Sequence, residues 1–169
     1  MHVLDTERLS LRRLDAGDAD FIVELLNQPS FIANIGDRGV RTADDARRYI
    51  EDGPVASYER FGFGLFLVAL KATGEPIGIC GLLKRDTLPD VDVGFALLPQ
   101  FWSRGYAIEC ATAVTAWGRD VLALPRIVAI VNPANAASIR VLGKMGFAFE
   151  RLVRVRDDAP EIELHALNF

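Results

Sequence analysis

"LLPQFWSRGYAIECATAV", Leu97 to Val114, passes from an apolar strand into a helix within a few residues, and the reading of that corner decides the fold. Pro99 ends a strand that begins near Val91, and Gly105 opens a helical pattern running to Val121. Its apolar positions, Ala107, Cys110, Val114, Trp117 and Val121, recur at spacings of three and four, which predicts one face against a sheet. A helix N-terminus offers amide N–H groups with no intrahelical partner and a partial positive charge. Gly105 allows close backbone approach, Ala107 keeps the next turn small and Arg104 adds a cation, so a diphosphate suits the corner. On the glycine alone, a tight turn without a ligand is the better reading. No GKS or GKT follows, which excludes a P-loop, and the three-glycine dinucleotide pattern is absent.

Outward from this corner, strand and helix patterns fill the chain. "RLSLRRL" (Arg8 to Leu14) alternates as a half-buried strand, and Asp15 to Asp18 supply cap chemistry for a helix through Phe21, Ile22, Leu25 and Leu26. Phe31 to Arg41 has no period and reads as a loop. Thr42 caps a second helix, whose apolar side is Ala46, Tyr49 and Ile50. "LFLVAL" and "IGICGLL", joined by "TGEP", predict a hairpin, and "VDVGFALLP" continues the sheet. After the central helix, "RIVAIV" is a buried strand. "NPANAASIRVLGKMGF" is a turn and a helix stopped at Gly146, and two alternating segments close the chain. Strands and helices alternate only in the second half, which predicts a mixed α+β sheet with one parallel pair across the central helix. The whole chain, 1–169, reads as one domain.

Half of the 169 residues are hydrophobic and the formal net charge is −4 without a basic run, which argues for a real core and against nucleic acid as a partner. Cys80 and Cys110 lie in apolar surroundings and read as buried thiols of a reduced compartment. His2 and His165 stand apart from any ligand cluster, so no metal is predicted. The charged start "MHVLDTERL" is unlike a signal peptide, and no apolar run is long enough for a membrane span, so the expected location is the cytoplasm.

Two ordered motifs then resemble one family. Pro99, Trp102, Gly105, Tyr106, Ala107, Glu109 and Ala111 fit one pattern, and Asn135, Ser138, Leu142, Lys144, Gly146 and Phe147 a second. Together with "ERLSLRRL" and "GFGLFLV" they resemble the Gcn5-related N-acetyltransferase (GNAT) superfamily. The nearest likeness is its RimJ/RimL-like branch, which includes N-terminal acetyltransferases of ribosomal proteins. The resemblance implies a mostly antiparallel sheet of about seven strands, with splayed fourth and fifth strands (Val91 to Leu98, Arg126 to Val131), flanked by about four helices.

It also implies acetyl-CoA as cosubstrate. Ser103, Arg104, Gly105, Tyr106, Ala107 and Ile108 are then the diphosphate cradle. The strand edge Phe95, Ala96, Leu97 pairs with the pantetheine arm, and Asn135 and Ser138 line its far side. Arg140 and Lys144 share a helix face that is either solvated or meets the terminal phosphate. On "VDVGFAL", Asp92 shares a face with the small residues Gly94 and Ala96, leaving space for substrate. The branch often has a glutamate acting as base at the position of Asp92; the shorter side chain favours a bridging water. Many relatives protonate the thiolate with a tyrosine where this chain has Leu142; Ser138, four residues earlier on the same face, either donates a hydrogen bond, organises water or only satisfies backbone groups, and a thiolate can also leave without an acid. Family comparison places the acceptor between the first two helices and the last strand pair, where Phe31, Asn34, Tyr58 and Phe63 are candidate wall residues or else core and loop filler. The expected activity is direct acetyl transfer to a primary amine, a protein or peptide N-terminus being favoured. A polyamine, amino acid or antibiotic acceptor, or a non-catalytic acyl-CoA sensor, is the alternative. The expected assembly is a monomer or homodimer.

Overall fold

The computed structural model describes residues 1–169. In chain order it contains β1 (His2–Asp5), β2 (Leu9–Arg13), α1 (Ala19–Leu26), α2 (Pro29–Asn34), α3 (Ala43–Ile50) and α4 (Ala56–Phe61). Then follow β3 (Leu65–Leu70), β4 (Pro76–Leu83), β5 (Asp92–Leu97), α5 (Tyr106–Asp120), β6 (Arg126–Val131), α6 (Ala136–Lys144), β7 (Ala148–Val153) and β8 (Ile162–Asn168). The strands form one sheet in the order β1-β2-β3-β4-β5-β6-β8-β7. Every neighbouring pair is antiparallel except β5 and β6.

The mixed sheet is as expected, with differences in count. There are eight strands, because β1 is four residues long, with two adjacent apolar residues between polar ends, and carries no readable alternation. The splayed pair is therefore fifth and sixth in the chain. Residues 31–41 are not all loop: α2 starts on Pro29, whose missing N–H costs nothing in a first turn. The second predicted helix runs on from α3 through a wide turn at Glu51–Val55 into α4, making six α-helices where about four were expected. The wide turn accommodates Pro54, which cannot donate to a regular helical ladder.

Caps read from sequence are present. Asp15 and Asp18 form a reciprocal capping box before α1, and Thr42 and Asp45 form another before α3.

Two features set the geometry of the cleft. β5 and β6 meet at one register pair, Asp92 with Val128, where the Val128 N–H donates to the Val91 carbonyl at 3.0 Å. Beyond that point the strands diverge. Helix α5 packs across β4, β5 and β6, and Gly118 lets it approach Leu82 on β4 and Ile127 on β6, just before the single β5–β6 bridge. A Cβ there would stand 2.9 Å from Ile127 and 3.0 Å from Leu82. The buried side of α5 is Cys110, Ala111, Val114, Thr115 and Gly118. The predicted stripe drifts off this face at its end: Val121 is 64% exposed, and Trp117 packs edge-on against Phe66 at 5.8 Å. No helix is long and apolar enough to cross a membrane.

Candidate active site

The corner that opened the sequence reading is a surface turn with unusual backbone. After β5 a single turn of tight helix, Pro99–Phe101, leads to Ser103 at φ 61° and Gly105 at φ 81°, and α5 begins at Tyr106. Two left-handed residues in so short a span tilt successive N–H groups toward one side, as in an anion nest. From Ser103 through Ile108 no backbone N–H has an acceptor within the protein. Gly105 is required by its φ, which an L side chain adopts only with strain.

The turn is braced from the N-terminal hairpin, a contact invisible in the sequence pattern. The Arg8 guanidinium donates through Nη1 to the Arg104 carbonyl at 2.9 Å and through Nε to Glu109 at 2.8 Å, and it stacks on Tyr106 at 4.4 Å. The other Glu109 oxygen accepts from Thr6 Oγ1 at 2.6 Å and from the Arg8 N–H at 3.0 Å. Burial pushes the Glu109 carboxyl up, but the hydrogen bonds of Thr6 and Arg8 outweigh it, and the net shift is below the ordinary value. Arg104 lies against the Phe101 ring at 5.8 Å.

Where β5 and β6 separate, a cavity of about 840 Å³ opens. Its wall includes Asp92, Phe95 and Ala96 from β5, Asn135 and Ser138 from α6, and Phe31 and Asn34 from α2. The structure thus brings together expected residues from three distant segments. By the two-residue alternation of β5, the backbone groups of Phe95 face the gap, with no β6 partner beyond the single bridge. Asn135 caps α6, its side-chain oxygen accepting from the Ser138 N–H at 3.2 Å, and the Ser138 hydroxyl has no protein partner. Leu142 lines the same wall one turn on.

Ser103 to Ile108 lie past the end of β5, outside the cavity lining, with Ser103 to Gly105 exposed and Tyr106 to Ile108 half-buried. Three expectations need correction. Leu97 is also outside, 7% exposed, with its carbonyl engaged by the Trp102 indole N–H at 3.0 Å. Tyr58 is core. Its hydroxyl donates to the Leu65 carbonyl and accepts from the Leu14 N–H at 3.1 Å, its ring stacks on Phe66 at 5.6 Å, and burial pushes its phenol up to about 12. Phe63 is likewise buried and stacks on Phe61 at 5.7 Å. An aromatic side chain near a loop does not reveal which side of the sheet it serves.

Asp92 stands at the point of divergence, 1% exposed. One oxygen accepts from Arg85 Nε at 3.0 Å. Burial raises its carboxyl above the ordinary value, and the Arg85 guanidinium opposes that shift without cancelling it. Arg85, Tyr49 and Arg38 also line the cavity and were missed from sequence. Tyr49 had been assigned to an apolar helix face. For Arg85 there was a signal: the β4–β5 hairpin pairs Leu83 with Asp92, placing Arg85 just beyond the pair. Cys110 is fully buried, its thiol donating to the Ala107 carbonyl at 3.4 Å, as the reading of a buried thiol expects. The Cys80 thiol is pushed well up by burial and by its Cys110 neighbour.

A profile of the Acetyltransferase (GNAT) domain matches residues 8–148. The uncharacterized N-acetyltransferase p20 of Bacillus licheniformis is 31% identical over 155 residues, spanning 91% of this chain and 86% of that protein. An acetyltransferase structure from Agrobacterium tumefaciens superposes with a TM-score of 0.84 at 28% identity, covering 98% of this chain and 94% of that one. RimL, a ribosomal L7/L12 alpha-N-protein acetyltransferase solved with coenzyme A, shares the fold with a TM-score of 0.85 at 16% identity, covering 99% and 98%.

Proposed function

The chain belongs to the GNAT acetyltransferase family, and within it we propose direct acetyl transfer from acetyl-CoA to a primary amine, with a protein or peptide N-terminus as the favoured acceptor. The observation that carries this reading is the run of unpartnered amides from Ser103 to Ile108 at the end of a strand whose free edge faces an open gap. Diphosphate oxygens need N–H donors and partial positive charge, and the turn supplies both without a clustered set of cations. The amides of a pantetheine arm need a strand edge, which Phe95 offers.

In this reading Asp92 takes the proton that the amine sheds as nitrogen bonds to the acetyl carbon, directly or through one water. A base whose carboxyl burial raises above the ordinary value is better matched to an amine than an ordinary one. The carbon–sulfur bond breaks as the carbon–nitrogen bond forms, and the Ser138 hydroxyl donates a hydrogen bond to the departing thiolate. Asn135 fixes the start of α6 and hence the place of Ser138. RimL-type neighbours support an N-terminal acceptor through fold alone. The test is thiol release from acetyl-CoA across amines and peptides beginning with Ser, Ala or Thr. Release that depends on the amine supports the reading, and none with any amine overturns it.

A further inference from the structure

The charged groups around the cavity are unevenly spent. Its lining holds the guanidinium groups of Arg38, Arg85 and Arg156 and the carboxylates of Asp37 and Asp92. Asp37 is taken by Arg41 at 2.6 Å, and Arg156 by Asp158 at 3.2 Å. Arg38 has no ion pair. Arg85 gives only Nε to Asp92, leaving both terminal nitrogens without an acceptor. The Tyr49 hydroxyl has no hydrogen-bond partner either, and no buried side-chain polar atom of the protein is unsatisfied. The free groups of Tyr49 and Arg85 are therefore not sealed in the core, and both residues line the cavity, Tyr49 together with Arg38 lining a smaller second pocket as well. Arg38, Arg85 and Tyr49 all line this cavity. What is left over is a set of donors sharing one cavity with a buried carboxylate, Asp92.

That set has a definite complement. An amine that reaches Asp92 competes with Arg85 for the same carboxylate. A bare ammonium would face a guanidinium and strand it without its counter-charge, and breaking a largely buried ion pair one-sidedly is costly. An acceptor with its own carboxylate avoids this: amine meets Asp92, carboxylate meets Arg85, and every charge keeps a partner. Tyr49 and Arg38 supply the further donors that a carboxylate accepts. Resting on the acetyltransferase reading above, we infer that the acceptor amine carries a carboxylate close to it, recognised by Arg85, Tyr49 and Arg38 while the amine lies at Asp92. Two sources share this chemistry: a free amino acid, and a peptide whose first residue is acidic. The rest of the molecule meets apolar wall such as Phe31, Ile35 and Ile162.

The test uses the full chain, acetyl-CoA and matched acceptors: alanine against alaninamide, β-alanine against its amide, and peptides opening with Asp against those opening with Asn. Rates are expressed per free-base amine. The carboxylate member of at least one pair is expected to show a kcat/KM higher by about tenfold or more, since a site built of donors rejects the analogue lacking an acceptor. Preference among the small amines marks the α- or β-carboxylate, and preference between the peptides marks an acidic side chain. Tyr49→Phe and Arg38→Gln are each expected to shrink the ratio within the preferred pair. Equal rates in every pair, or a ratio unmoved in both variants, overturns the inference and leaves the acetyltransferase reading standing. No thiol release with any amine overturns both.

Discussion

Two carboxylates of this protein each face one arginine, and they shift in opposite directions. Glu109 pairs with Arg8 at 2.8 Å and Asp92 with Arg85 at 3.0 Å. Glu109 has a side chain 17% exposed, collects further hydrogen bonds from Thr6 and the Arg8 amide, and is held below the ordinary value. Asp92 is 1% exposed, accepts one hydrogen bond from a side chain, and is held above it. The arginine is common to both, so it does not decide the sign. Burial against the number of donors does. A saturated carboxylate is a brace, and an undersupplied one in a cavity is available for chemistry.

The sharpest way to break this contrast is to remove one charge at a time. Asp92→Asn should lower kcat by about 10²–10⁴-fold, the range of a general base, with acetyl-CoA affinity nearly unchanged in calorimetry. The parent's kcat/KM should rise with pH through an acid limb above ordinary carboxylate values, because Asp92 works ionised and burial resists ionisation. That limb should vanish in the variant. A variant with parental activity and pH profile removes Asp92 from the base role.

Next in size is the backbone of the cradle. Gly105→Val forces a β-branched residue to φ 81°, at a cost of at least about 1–2 kcal/mol, and brings its Cβ to 3.2 Å from Arg8 Nη2. We expect KM for acetyl-CoA to rise about tenfold or more in a protein that still folds, its melting point lowered by only the few degrees that this strain costs. Unchanged KM in a folded variant contradicts the cradle.

A buried tyrosine offers the control. Tyr58→Phe deletes two buried hydrogen-bond partnerships and should cost about 1–3 kcal/mol in chemical denaturation, without altering acceptor KM. A change in acceptor KM at full stability would return Tyr58 to the cleft.

The smallest effect belongs to Glu109. A carboxyl lowered on folding adds stability above its unfolded value, and that stability is lost as pH falls through the lowered folded value. Glu109→Gln should cost about 1 kcal/mol near neutrality, partner exposure being considerable, and the difference from the parent should fade in acid. A difference independent of pH would show that the charge of Glu109 is not what braces the turn.

How much of this could be read beforehand follows the same division. The turn with unpartnered amides was legible because its determinants are local: one glycine, a helix start and the short run between them. Asp92 was legible from the alternation of β5, which sets it with Gly94 and Ala96. The cavity wall was only half legible. Phe31 and Asn34 were placed in it, but residues 31–41 showed no period, so the helix carrying them was missed. Tyr58 and Phe63 could be cavity wall or core from sequence alone, and the structure buries both away from the cavity lining. Arg8 read only as a strand residue, since its contact with Glu109 spans the chain and no periodicity reports it.

The most direct test of the central claim is calorimetry of the folded protein with acetyl-CoA and with S-acetyl-pantetheine, which lacks the diphosphate. If the amides from Ser103 to Ile108 hold that group, acetyl-CoA binds about tenfold tighter or more, and Gly105→Val removes most of the difference. Equal affinity for the two donors, or no heat from acetyl-CoA at millimolar concentration, contradicts it.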